Sequence, residues 1–375
     1  MTVYLDHAAT TPMRPEAVEA MLPYFSERFG NASGSHAVAR EARKALDEAR
    51  DIVADCLGAS PGEIVFTGGG TEADNLAIAG RHAARPGAAV CTAVEHHAVL
   101  HACEALPDAR IVPVRSDGVV DMDALAGVLD PSVSVVSVML ANNEVGTIQP
   151  LAEIAEVVRA AAPDAVLHTD AVQAFSWLDV VHAASPADLV AVSAHKFGGP
   201  KGVGALVVRN GITVEPIIRG GGQERDRRSG TYNVAGIVGM AAAMQATVAQ
   251  RATTVERVAG LRDRLADGLL AAVPRSSETG RRVDKIAGNC HLCFEGVESE
   301  ALLMLLDGAG VCAAAGSACQ AGSVEPSHVL TAMGVPAGRA IGALRLSLGS
   351  TTTPADVDLA LEVIPPAVER LRSAP

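Results

Sequence analysis

The chain has 375 residues, 49% of them hydrophobic, enough to build one large domain and a smaller one, which excludes a disordered or low-complexity protein. Its formal charge of -13, from 30 basic and 43 acidic residues with no dense Lys/Arg block, argues against direct nucleic-acid binding. Residues Met1-Thr2-Val3-Tyr4-Leu5-Asp6 lack the basic and apolar segments of a signal peptide, and no apolar stretch is long enough to span a bilayer, so a cytoplasmic protein without membrane attachment is expected.

With one tryptophan, three tyrosines and six phenylalanines, the core has to be built from Ala, Val, Leu and Ile, which favours helices packed on sheets through small side chains. Short β-branched runs at 64–66, 89–91, 111–114, 133–140, 166–168 and 189–193 alternate with helical segments. That alternation predicts an α/β fold with a mostly parallel sheet covered by helices, in which ligands bind beyond the carboxyl ends of the strands. Asp121 and Pro150 open helices within this region. An Ala- and Val-rich stretch at 234–273 reads as mainly helical and leads out of the large domain. Beyond it, 285–294, 299–306, 344–348 and 356–372 read as strand, helix, strand and helix of a smaller α+β domain. The expected division gives 13–255 to the large domain, and 1–12 with 256–375 to the small one.

Thr67-Gly68-Gly69-Gly70-Thr71-Glu72 follows a strand and precedes a helical run, so its amides and the helix N-terminus form an anion site suited to a phosphate; a structural glycine turn is the alternative. It lacks the Gly-Lys-Ser/Thr ending of a nucleotide P-loop and the dinucleotide GxGxxG spacing. His96, also after a strand, could stack on a planar ligand or shuttle protons, or simply cap a helix. His97 and His101, four apart, could face one way as metal ligands, though no HExxH-type general base accompanies them. Asn142-Asn143-Glu144 and His168-Thr169-Asp170 end the next two strands. An aspartate there can hydrogen-bond a protonated pyridine nitrogen, and an ordinary capped turn is equally compatible with either segment.

Lys196 carries the strongest signal. It follows the apolar run 189–193 and precedes Gly198-Gly199; burial depresses a lysine's pKa, so its amine could hold an aldehyde cofactor as a Schiff base. Segments 220–225 and 228–231 offer a second glycine turn with basic and hydroxyl groups, suited to a phosphate or a subunit boundary. Cys290 and Cys293 form a CxxC on a strand, where positions three apart face opposite sides, which argues against a metal or redox pair. The seven cysteines follow no disulfide-framework spacing, so reduced thiols are expected. Cys319, in Gly316-Ser317-Ala318-Cys319-Gln320-Ala321-Gly322-Ser323, sits among small residues that make it an accessible nucleophile. Arg345, inside an apolar strand, needs an anion, which a substrate carboxylate or a structural salt bridge would supply.

These segments run in one order over nearly the whole chain, from Tyr4-Leu5-Asp6-His7-Ala8-Ala9-Thr10-Thr11-Pro12 to Arg345-Leu346-Ser347-Leu348-Gly349. Together they resemble the fold-type I pyridoxal-phosphate enzymes, and among them the NifS/IscS type of cysteine desulfurase in the class V aminotransferase superfamily. The resemblance implies pyridoxal 5'-phosphate as cofactor, and removal of sulfur from L-cysteine to give alanine and a persulfide on Cys319. Lys196 would hold the cofactor covalently, His96 would stack on its ring and assist proton transfer, and Asp170 would meet the pyridine nitrogen. Gln173 and Asn143 would lie near the phenolic oxygen. Gly70, Thr71, Ser193 and His195 would hold the phosphate from one subunit, and Thr231 would reach it from the partner of a homodimer. Asn31 and Arg345 would clamp the substrate carboxylate.

The resemblance further implies a sulfur-acceptor protein such as an iron-sulfur scaffold, serving cluster assembly or tRNA thiolation, and raises Cys319 as an iron-sulfur ligand. Ala194 in place of a usual glycine and Gln320-Ala321-Gly322 in place of the more frequent Thr-Ser-Ala are modest departures; the second bears on partner identity. Three readings compete: a selenocysteine lyase, an aminotransferase on the same fold, and a non-catalytic binder of a sulfur carrier. An aminotransferase has no need of the Cys319 thiol, and a mere binder needs neither Lys196 nor Cys319.

Overall fold

The computed structural model describes residues 2–316 and 326–373. Twelve strands are found among them: β1 (Val3–Tyr4), β2 (Ile64–Thr67), β3 (Ala88–Thr92), β4 (Ala109–Val112), β5 (Val133–Ser137), β6 (Val166–Asp170), β7 (Leu189–Ser193), β8 (Gly204–Val208), β9 (Ser276–Glu278), β10 (Asn289–Phe294), β11 (Val311–Cys312) and β12 (Ala343–Ser347). Seven of them form the main sheet in the order β2-β8-β7-β6-β5-β3-β4. Pairing is parallel throughout except around β8, which runs against both neighbours. Every residue of β2, β3 and β5 to β8 is buried, as expected of strands covered by helices on both faces.

The expected α/β architecture with a mostly parallel sheet is therefore observed, with local differences. Regular pairing in β5 stops at Ser137, but residues 138–140 continue alongside β6 through Val138 N to His168 O (3.0 Å) and Leu140 N to Asp170 O (2.9 Å). The strand expected over 285–294 is shorter, because the backbone of Ile286 donates to Gly146 O before β10 begins at Asn289. Cys290 and Cys293 do face opposite sides of β10, each in a different apolar cluster.

Two cores share one long helix. The helix Val234–Ala272 buries Ile237, Met240 and Met244 against the main sheet, and Val258, Leu261, Leu265 and Leu269 against the three-stranded sheet β12-β10-β9. Val3 and Leu5 pack in the second core, where β1 pairs in parallel with β11. The chain's first residues then cross to the carboxyl edge of the main sheet, which places 6–11 at the site described below. Among the described residues, no helix is long and apolar enough to cross a membrane.

A buried ion pair ties the outer helix to the sheet. Helix Ala37–Leu57 packs its Ala39, Leu46, Val53 and Leu57 inward and ends at Gly58 in the left-handed region (φ 59°). From its buried face Arg50 Nη2 donates to Glu224 Oε1 (2.5 Å) and Nη1 to Glu224 Oε2 (2.9 Å), while Phe66 N donates to the same Oε2 (2.9 Å). Glu224 opens a run of three left-handed, non-glycine residues with Arg225 and Asp226, a conformation costing about 1–2 kcal/mol per residue, so its anchoring fixes the turn leading to 228–231. Arg50→Met should leave the Glu224 carboxylate buried without its charge partner and lower stability by about 3 kcal/mol, read as a reduced urea midpoint at unchanged slope.

Candidate active site

Five strand ends and one strand start converge on a single edge. After β2, Gly69 adopts φ +150° and Gly70 starts the helix Gly70–Ala84; a Cβ on Gly70 would meet Val172 Cγ2 at 2.9 Å and Ser193 Cβ at 3.3 Å. After β3, His96 caps the helix His97–Glu104. β5 leads to Met139, Asn143 and Glu144; β6 ends on Asp170; β7 ends on Ser193, three residues before Lys196. β8 starts at Gly204, where a Cβ would lie 2.7 Å from the Gly69 carbonyl carbon and from Val192 O. The five strand ends, through residues from Gly70 to Lys196, line a cavity of about 280 Å³ that opens to solvent, together with Asp74, Gln173, His195, His328 and Arg345.

Lys196 Nζ donates to Ala8 O (2.6 Å) and Ala9 O (2.9 Å), so the N-terminal segment holds the amine through neutral carbonyls. Gln173 Nε2 donates to the same Ala8 O (2.9 Å). Asp170 accepts from Val172 N (2.8 Å), and burial lifts its carboxyl to about 6 against the opposing pull of that bond and of Lys196. His96 Nδ1 accepts from Ala98 N (3.1 Å), so the neutral ring carries its proton on Nε2; burial, then Lys196 and the neighbouring histidines, lower it to about 4. Ser193 and His195 stand beside Gly70 and Thr71 at the opposite end, with His195 Nδ1 3.1 Å from Thr10 Oγ1.

A layer of acids absent from the sequence expectations lies beneath these groups. Glu95 is fully buried, accepts from Thr92 Oγ1 (2.6 Å) and Met139 N (3.0 Å), and is raised by burial to about 8. Asp74 is pushed up by burial and by the charges of Asp170 and Glu95, and its Oδ1 lies 3.5 Å from His168 Nε2. Their signals were present: Asp74 is one helical turn beyond Gly70, and Glu95 adjoins His96.

Of the expected site residues, Gly70, Thr71, His96, Asn143, Asp170, Gln173, Ser193, His195, Lys196 and Arg345 all line the cavity. Arg345 meets both of its expected alternatives halfway. It lines the cavity, yet Nη2 already donates to Asp6 Oδ1 (2.9 Å) and Nη1 to Gly316 O (2.7 Å) and Asn143 O (3.1 Å). Asn31 is exposed, its Oδ1 accepting from Ser33 N (3.0 Å), and is not part of the lining; Thr231 is also exposed and outside it. Cys319 lies outside the described residues. His97 does stack with His101 and with His328, at centroid distances of 4.9 and 4.5 Å, and among the described residues no His/Cys/Asp/Glu group has metal-binding geometry.

The fold has counterparts among solved structures. A NifS-like protein is 34% identical and superposes with a TM-score of 0.92 over 99% of this chain and 100% of that one. SspA, solved in complex with cysteine, is 32% identical with a TM-score of 0.79 over 94% of this chain and 100% of the other. The architecture is that of the fold-type I pyridoxal-phosphate enzymes. The chain belongs to the aminotransferase class-V family, whose model matches residues 3–360. Curated relatives include an IscS-like cysteine desulfurase of Mycobacterium tuberculosis, 49% identical over 99% of this chain and 97% of that protein. The cysteine desulfurase IscS of Methanosarcina thermophila is 44% identical over 99% and 93%.

Glu95 yields a stability test. With its native pKa near 8 and an ordinary value of 4.5, the folded carboxyl keeps a proton that the unfolded chain releases, so its contribution is complete below about pH 4.5 and is lost as pH rises to 8. Glu95→Gln retains an acceptor for Thr92 and Met139 N and never ionises. It should match the parent near pH 4.5 and exceed it by on the order of 3 kcal/mol at pH 8, measured by urea denaturation across that range.

Proposed function

We propose that the protein is a cysteine desulfurase: it removes sulfur from L-cysteine with pyridoxal 5'-phosphate, giving alanine and a persulfide on Cys319. The observation that carries this reading is the meeting of Lys196 and Asp170, from the ends of adjacent parallel strands, in one cavity of a chain whose near-full-length relatives bear that name.

The residues present fit the cofactor. A protonated ring nitrogen opposite Asp170 would offset the burial that now disfavours its charged form. The N-terminus of helix Gly70–Ala84, the Thr71 and Ser193 hydroxyls, His195 and nearby Lys201 make a donor set for a phosphate. A neutral His96 can stack on a cationic ring without charge repulsion. When bound, the aldehyde would take up the substrate amine and the ring would hold the electron pair released at Cα.

The chain's own groups then divide the remaining work. Lys196 Nζ, positioned by the Ala8 and Ala9 carbonyls, takes the α-proton and returns it. His96 is a proton donor through Nε2, because its Nδ1 lone pair is engaged by Ala98 N. Gln173 and Asn143, which line the same cavity, would lie near the phenolic oxygen of the bound cofactor. Arg345, which lines the cavity, receives the substrate carboxylate. Cys319, as thiolate, forms an S–S bond to the substrate sulfur while the C–S bond breaks. The carbon keeps that electron pair and gains a proton to become alanine, so no external oxidant or reductant is required.

A homodimer with Thr231 supplied by the second protomer is part of this proposal. Its support is the open hollow at the phosphate end, rimmed by Lys201 and the half-exposed Ile217. Delivery of the persulfide to an acceptor such as an iron-sulfur scaffold, in the cytoplasm, completes it. The aminotransferase alternative shares Lys196 and Asp170 and is separated by its products.

With L-cysteine and dithiothreitol, the parent should release alanine and sulfide. Cys319→Ser should keep the cofactor absorbance and lose alanine formation by about a hundredfold or more, whereas Lys196→Ala should lose the absorbance of the covalently held cofactor. A Cys319→Ser variant as active as the parent would transfer the assignment to a lyase or aminotransferase.

A further inference from the structure

We infer that a second cavity, walled by Arg14, Arg251 and Trp177 where the two cores meet, is a binding site for a small oxyanion such as sulfate or inorganic phosphate. It holds about 50 Å³ and opens to solvent. At about 10–15 Å³ per water that is room for about four waters, or for one anion of about five heavy atoms. Ala8, Gln173 and Lys196 line both this cavity and the larger one, so the two share a wall. The inference goes beyond the desulfurase reading and does not depend on it.

The helix Val234–Ala272 supplies one side. Thr247, Arg251 and Thr254 follow one another at helical spacing and so share a face, and all three line the cavity. Thr247 Oγ1 donates to Phe197 O (3.1 Å), and Arg251 Cζ lies 5.3 Å from the centroid of the Phe175 ring. Arg251 Nε and Nη2 are buried and have no hydrogen-bond partner among the described residues. Arg14, just before the helix Pro15–Met21, comes from the N-terminal segment. Its Nε donates to Phe197 O (3.2 Å) and its Nη1 to Gln250 Oε1 (3.0 Å), both neutral acceptors.

Charge gives the cavity its sign. The chain carries a formal charge of -13, yet among the described residues no Asp or Glu lines this cavity, whereas two guanidinium groups and the Lys196 amine do. Asp179 acts on Arg251 and Glu16 on Arg14 from outside the lining, and burial still lowers both arginines below their ordinary range. Two partly buried cations bonded only to neutral groups gain from an anion that reaches both. The planar fork of a guanidinium meets the paired oxygens of an oxyanion, which a spherical halide cannot offer.

Trp177 is the chain's one tryptophan and lines the cavity, so its emission reports occupancy. The protein, loaded with pyridoxal 5'-phosphate, is titrated with sodium sulfate or sodium phosphate against sodium chloride at matched ionic strength. Trp177 emission should change saturably with either oxyanion, with half-saturation at about 1–10 mM, and Arg251→Leu and Arg14→Gln should each raise that concentration about tenfold. Arg251→Lys, which keeps the charge without the fork, should fall between parent and Arg251→Leu. Sulfate also stabilises proteins by exclusion from their surfaces, so the second readout is the gain in urea midpoint from sulfate over chloride, expected to be larger in the parent than in Arg251→Leu. The site is overturned if parent and Arg251→Leu gain the same midpoint from sulfate, whatever the emission does, or if chloride saturates the emission change as sulfate does.

Discussion

Parallel pairing of β3, β5, β6 and β7 is the constraint on which the site depends. Strands that all point one way deliver all their carboxyl ends to one edge, and the register Asp170 opposite Ala191 sets the end of β6 beside the end of β7. A slip of one residue would turn Asp170 to the other face of the sheet and remove it from the cavity. The antiparallel β8 contributes by its start: Gly204 lies under Gly69 at a separation that leaves no room for a Cβ, which seats the turn preceding the helix Gly70–Ala84.

Burial at that edge shapes the electrostatics more than any single ion pair. Asp74, Glu95 and Asp170 are pushed toward their neutral forms, and His96, His168 and His195 are pushed the same way from the opposite side. The protein surroundings of the cavity thus disfavour charge of either sign. A ligand carrying a ring cation at one end and a phosphate at the other meets an acid at the first and a helix N-terminus with hydroxyls at the second. Both compensations are lost together if the ligand carries only one of those groups, which is a physical basis for selectivity within one cavity.

Much of this was legible in the sequence, for identifiable reasons. Strands buried on both faces are continuous apolar runs, so β2, β3 and β5 to β7 could be located, and polar residues just past such runs had to lie at one edge, which singled out His96, Asp170 and Lys196. β8 is as apolar as its neighbours, but only the one-turn 3-10 helix Ala194–Lys196 and a glycine-rich stretch separate it from β7, so alternation alone gave no reason to place it inside the sheet. Asp74, Glu95 and Glu144 look like ordinary surface acids in the sequence. Only the packing of distant strand ends buries them. The roles expected of Asn31 and Thr231 came from the resemblance alone, since no local pattern tells whether a polar residue of a loop faces a cavity, solvent or a second protomer.

Arg345 shows why the two readings of a buried cation need not exclude one another. Its charge is paired with Asp6 through Nη2 and two backbone carbonyls accept from Nη1, while the buried Nε has no hydrogen-bond partner among the described residues. On the proposed reading a substrate carboxylate would not need to displace Asp6, since replacing the neutral Gly316 carbonyl would exchange a dipole for a charge-assisted pair at the same Nη1. The same first dozen residues that supply Asp6 also supply the Ala8 and Ala9 carbonyls to Lys196, and β1 anchors them in the second core. Arg345 and the Lys196 amine are therefore linked through one short segment that crosses between the two cores.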